Sequence, residues 1–141
     1  MFNEYEIFII VRPDVDEVGA LAALDRVCES LTELGGHILD REDWGSRKLA
    51  YLIQKHARGR YFLTVALLAP EKVLEVERRI RLDDRVMRFL TVSKGVATDV
   101  EARIAAAEEA RAASPGLRKR YDIEEEEPIE EDYDADVGVV D

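Results

Sequence analysis

Residues 37–68 read HILDREDWGSRKLAYLIQKHARGRYFLTVALL. Two runs rich in β-branched and aromatic residues flank a polar, basic middle, which is the pattern of a β-hairpin. Residues 37–53 are expected to form one long strand. Its stretch 40–43 is polar, and Gly45 marks a bulge or bend. A turn over 54–59, containing Gly59, leads into a second strand over 61–68.

Working outward, residues 4–11 are too apolar for a surface strand and read as a central one. Arg12-Pro13 ends it, because proline donates nothing to a ladder. Asp14 or Asp16 can cap a helix that follows. Val18, Leu21, Leu24, Cys28 and Leu31 recur at helical spacing, and Gly35-Gly36 stops the run. On the other side of the hairpin, Ala69-Pro70 opens a second helix with Val73, Val76, Ile80 and Leu82 as its apolar side. Asp83-Asp84 breaks it, and 86–92 reads as a last strand. Strand, helix, strand, strand, helix, strand is the ferredoxin-like split βαβ plan. The expected fold is therefore α+β: a four-stranded antiparallel sheet, both helices on one face, the other face open.

The chain divides into an expected domain over 1–96, an Ala/Glu/Arg-rich segment over 97–116 with helical composition at 99–113, and an acidic tail over 117–141. Thr98-Asp99-Val100-Glu101 matches a capping box. The tail is expected to be disordered, since it lacks the bulky apolar residues that offset chain entropy. Net charge is −11 over the chain, but residues 1–98 carry only −1 and residues 99–141 carry −10. The bulk acidity argues against nucleic acid; the local field decides otherwise. Residues 41–60 hold six bases, Arg41, Arg47, Lys48, Lys55, Arg58 and Arg60, against two acids. A second basic cluster lies at 78–94.

No catalytic constellation stands out. His37 and His56 have no Cys or His at metal-ligand spacing. There is no Gly-rich phosphate loop and no serine in a nucleophile motif. The chain reads as a non-enzyme with no cofactor, no metal and no small-molecule substrate. No apolar run approaches the ~18 residues that span a bilayer. The start, Met1-Phe2-Asn3-Glu4-Tyr5-Glu6, is acidic and unlike a signal peptide. The lone Cys28 lies on an apolar helical stripe and reads as packing. These features fit a reducing cytoplasm.

The residues also resemble a known family, the bacterial small-subunit ribosomal protein family S-six. The matching landmarks are Tyr5-Glu6, Pro13, and Glu42-Asp43-Trp44-Gly45-x-Arg47-x-Leu49-Ala50-Tyr51-x-Ile53-x-Lys55. Gly59-x-Tyr61, Leu82-x-Asp84-x-Val86-x-Arg88 and the acidic tail complete the pattern, which covers residues 4–94. The resemblance implies the same fold and a structural role in the cytoplasmic ribosome. It implies binding to small-subunit ribosomal RNA in the central domain, together with ribosomal protein S-eighteen. It implies no catalysis and no cofactor. Phe2 stands where many members have Arg, and Leu52 where many have Pro.

The candidate RNA- or partner-binding residues are Arg47, Lys48, Lys55, His56, Arg58, Arg60, Arg88, Trp44 and Tyr51. Arg47 and Lys48 alternate along a strand, so they point to opposite faces. Arg88 sits among Val86, Leu90 and Val92 at same-side spacing, and an arginine there needs a partner. A binding surface on the open face supplies one; a structural ion pair is the plainer alternative. Trp44 and Tyr51 can stack on bases or simply pack the hairpin. Without the motif, the chain would read as a ferredoxin-like protein-interaction module.

Overall fold

The computed structural model describes residues 1–113 and 116–119. Strand β1 (Asn3–Val11) is followed by helix α1 (Glu17–Glu33), strands β2 (His37–Ile53) and β3 (His56–Leu68), a short 3-10 turn (Pro70–Lys72), helix α2 (Val73–Arg81) and strand β4 (Val86–Val96). Helix α3 (Val100–Ala113) and the two-residue strand β5 (Arg118–Lys119) complete the described chain. The sheet order is β4-β1-β3-β2-β5. Pairings among the first four strands are antiparallel, as the ferredoxin-like plan requires, and β5 lies parallel to β2.

The period-2 geometry of β1 sorts its residues cleanly. Tyr5, Ile7, Ile9 and Val11 are buried on the side where α1 and α2 pack. Phe62, Ala66 and Leu68 of β3 join them, with Ala20, Ala23, Leu24, Val27 and Leu31 from α1 and Val76 and Ile80 from α2. Glu4, Glu6, Phe8 and Ile10 alternate onto the other side and are half-buried. Asp16 caps α1, its side chain accepting from the Gly19 N–H at 2.8 Å. At the other end Gly35 takes φ 89° and Gly36 donates back to the Leu31 carbonyl, closing the helix.

Several expectations need correction. Val18 is exposed, because the buried stripe of α1 is rotated toward Ala20, Ala23 and Val27. Leu82 is exposed because α2 ends before it. The hairpin turn is only Gln54-Lys55, both at positive φ, and β3 begins at His56 rather than at 61. Val86 does not share a side with Arg88. Val11 pairs Val86 while Ile10 pairs Arg88, so Met87 is the extra residue of a bulge. Val86 thereby turns toward the helices and packs on the core.

The second sheet face is not wholly open. Helix α3 lies over part of it, with Ala107 buried beside Leu39 and Leu67, and Val100 and Ile104 packed against them. Leu117 packs against the main core and Arg118–Lys119 pair with β2, so the chain is ordered past the point where disorder was expected to begin. The remainder of that tail lies outside the described residues.

Candidate nucleic-acid interface

Gly45 shapes the site. It sits at φ 77°, where the β2–β3 register shifts between Asp43 and Gly45. This bulge lets Trp44 and Arg47, three residues apart, share one side of the strand. Trp44 packs edge-on against Phe8 of β1, ring centroids 5.5 Å apart, which places both on the face away from α1 and α2. Trp44 Nε1 donates to Glu42 Oε1 at 3.0 Å. The Arg47 guanidinium lies 5.3 Å from the Trp44 ring centre, and its Nε donates to the Trp44 carbonyl at 3.1 Å.

Arg88 repeats the arrangement at the far side of the same face. It pairs opposite Ile10, and its guanidinium lies 5.5 Å from the centre of the Tyr51 ring. Arg88 Nη1 donates to the Tyr51 hydroxyl at 2.9 Å. The ribbon carrying Tyr51 therefore reaches past the end of β1 toward β4. Arg88, Leu90 and Tyr51 are all exposed. An arginine stacked on an aromatic face is held in position by the attraction of its cation to the ring.

The other candidates divide. Lys48 points to the side opposite Arg47 and is half-buried. Arg58 is exposed but tied to Ser46, with Nη2 donating to the Ser46 carbonyl at 3.1 Å. Lys55 is exposed in the tight turn, and His56 beside it is half-buried. Arg60 is turned toward Asp43, which is fully buried, with Nη2 2.6 Å from Oδ2. Its guanidinium also lies over the Phe62 ring. The structure thus brings Trp44, Arg47, Tyr51 and Arg88 onto one face and places Arg60 in a structural ion pair.

Sequence reasoning missed Phe8 and the acidic end of this face. Phe8 alternates with Ile7 and Ile9 in a run that is apolar on both sides, so pattern alone could not orient it. At the α3 end, Glu4 accepts from Arg103 at 2.8 Å, and Asp40 and Glu42 accept from Arg118. Burial raises the Asp40 carboxyl above its ordinary pKa, and the Arg118 charge opposes that rise. The carboxylates at that end are thus each paired with an arginine of the C-terminal segment. No group of three or more His, Cys, Asp or Glu suited to a metal ion occurs among the described residues. No helix among them is long and apolar enough to cross a membrane.

The family model described as Ribosomal protein S6 matches residues 4–93. A small ribosomal subunit protein bS6 from Trichlorobacter lovleyi is 41% identical over 91 residues, covering 64% of this chain and 75% of that protein. Another, from Geotalea daltonii, is 36% identical over 133 residues, covering 94% of this chain and 92% of its own. The crystal structure of 30S ribosomal protein S6 from Thermotoga maritima superposes with a TM-score of 0.64 at 27% identity, covering 77% of this chain and 99% of that one.

Proposed function

Because the chain belongs to the ribosomal protein S6 family, structural components of the small subunit of the cytoplasmic ribosome rather than enzymes, we propose that its sheet face binds small-subunit ribosomal RNA in the central domain jointly with ribosomal protein S-eighteen. The observation that carries this reading is the pair Arg47–Trp44 and Arg88–Tyr51. Two guanidinium groups, that of the half-buried Arg47 and that of the exposed Arg88, are each held over a ring on the face that α1 and α2 leave uncovered. Such groups meet phosphate with little ordering left to do.

Lys55 at the ribbon tip and Arg58 extend the positive field. Lys and Arg that neutralise phosphates release counterions, so binding is salt-dependent. RNA duplex offers these side chains shape and backbone more than base edges. Residues 1–98 are close to neutral overall. A basic protein partner must therefore supply much of the affinity, and S-eighteen takes that role in this reading. The apolar surface for it is Phe8, Ile10 and Leu90, between the two arginines.

The test is binding to a central-domain RNA fragment, with and without S-eighteen, across a salt series. Joint, salt-sensitive binding that weakens about 10-fold with Arg47→Ala or Arg88→Ala, the loss of one charge-assisted contact, supports the reading. Joint binding untouched by either change removes the two arginines from the interface. Tight binding of RNA without the partner at physiological salt refutes the shared-affinity argument.

A further inference from the structure

Helix α3 and strand β5 lie beyond the residues matched by the family, yet α3 covers the sheet face beside the proposed interface and β5 extends the sheet past β2. Their attachment is unusual for an added layer. Ala107 is the buried residue of α3, with Val100 and Ile104 only half-buried. The helix does not seat flush, and a groove of about 820 Å³ remains between it and the sheet, with Phe8, Trp44 and Leu63 in its lining. The polar anchors are Arg103 on Glu4, Arg118 on Asp40 and Glu42, and an Arg111 guanidinium N–H donating to the Ile38 carbonyl at 3.1 Å. Arg103 and Arg111 are exposed, so their contacts are individually weak and screened by salt, while Arg118 holds the buried Glu42 and is the firmer anchor. The β5 pairing spans two residues.

We propose that α3 and β5 form a displaceable strap. Docked, they cover Leu39, Val65 and the approach to Trp44; released, they uncover that part of the face while β1–β4, α1 and α2 stay folded. The apolar contacts of α3 form a cluster separate from the main core, while Leu117, beside β5, packs on the rim of that core and would be withdrawn with the strap. The strap rests on the proposed interface only for what the uncovered face then meets. Its test needs no RNA, so the two readings fail separately.

Trp44 reports on the strap. It is the chain's single tryptophan, its Nε1 donates to one oxygen of Glu42, and the other oxygen of Glu42 accepts from Arg118. On the full chain, amide hydrogen exchange and acrylamide quenching of Trp44 are compared between wild type and R103A/R118A. Both are measured from about 0.1 M to about 1 M NaCl, over which the screening length shrinks from about 10 Å to about 3 Å. The expected result is that α3 amides exchange at least ~10-fold faster in the variant or at high salt, and Trp44 quenching rises with them. The amides of β1 and β3 keep their protection in the same samples, which shows that the domain has not unfolded. Protection of α3 equal to that of β1 and insensitive to both changes overturns the strap. So does an α3 already unprotected in wild type at low salt.

Discussion

Arg60 Nη2 stands 2.6 Å from Oδ2 of Asp43, and Asp43 is wholly buried while a fifth of the Arg60 side chain (21%) reaches solvent. The other carboxylate oxygen accepts the Gly45 N–H at 2.9 Å, so one side chain holds both the ion pair and the bulge. Removing Arg60 leaves a buried carboxylate without its cation, while removing Asp43 leaves Arg60 with the Glu17 carboxylate 4.0 Å away. Asp43→Ala is expected to destabilise the fold by about 2–4 kcal/mol, adding the lost pair to an unsatisfied backbone donor. Arg60→Ala should cost at least as much, since it strands the wholly buried Asp43 charge. Urea unfolding midpoints check both, and an Arg60→Ala change within error of wild type would make the pair ornamental.

The basic ribbon makes a separate prediction. Lys55 is exposed and bears its charge at a tight turn, so its loss leaves packing alone. If it meets a phosphate in the RNA complex, Lys55→Ala should reduce the slope of log affinity against log salt by roughly 1 and weaken all sequences alike. Thermal stability should move by no more than ~0.5 kcal/mol. A weaker complex with an unchanged slope would place Lys55 against protein instead.

Acid response follows from two clamped carboxylates. Hydrogen bonds from Arg78 and Arg79 hold the half-buried Glu75 carboxyl at about 2, below its ordinary 4.5. Hydrogen bonds from Arg85 likewise lower Asp83. A carboxyl with a lowered folded pKa binds protons more readily when unfolded, so its contribution is complete above the ordinary value and disappears as pH falls through the folded one. Unfolding midpoints measured from neutral pH down toward pH 2 should therefore show wild type converging on Glu75→Gln below the ordinary carboxylate range. A gap between them that widens on acidification would reverse the assignment.

The fold was legible because apolar periodicity and turn residues agreed over most of the chain. Tyr5, Ile7 and Ile9 alternate, Gly35-Gly36 closes α1, and Gly45 marks the β2 bulge. The misreadings have local causes. Met87 looks like any strand residue, yet it is the inserted one that turns Val86 away from Arg88. Leu117 has too little apolar company in sequence to predict packing, and gains it only from the folded core. Within the site, charge and aromatic content marked Arg47, Trp44, Tyr51 and Arg88. Nothing in sequence spacing shows that Tyr51 and Arg88 meet, because the contact depends on how far the β2–β3 ribbon reaches. The same blindness hid the Asp43–Arg60 pair, which removes one base from the candidate surface.

Gly59 lies where that ribbon crosses the end of the sheet. A Cβ built there would stand 2.4 Å from Ile10 Cγ2 and 2.9 Å from Met87 Cε. Real contacts of that kind do not occur; the Met87 tip can swing away, but Ile10 Cγ2 sits next to its own backbone, so Gly59→Ala is expected to push β1 or the ribbon aside. The expected cost is about 1–3 kcal/mol, the range for an overpacked site. The displacement should also separate Tyr51 from Arg88, because Tyr51 lies on the ribbon and Arg88 pairs opposite Ile10 of β1. Gly59→Ala is therefore expected to lower joint RNA binding more than its stability loss explains, under conditions where it remains folded. Tyr51→Phe breaks the same hydroxyl contact without steric strain and gives the comparison. Equal binding losses in the two variants would locate the defect at the Tyr51–Arg88 contact. Full binding by Tyr51→Phe with a loss only in Gly59→Ala would assign it to the path of the ribbon itself.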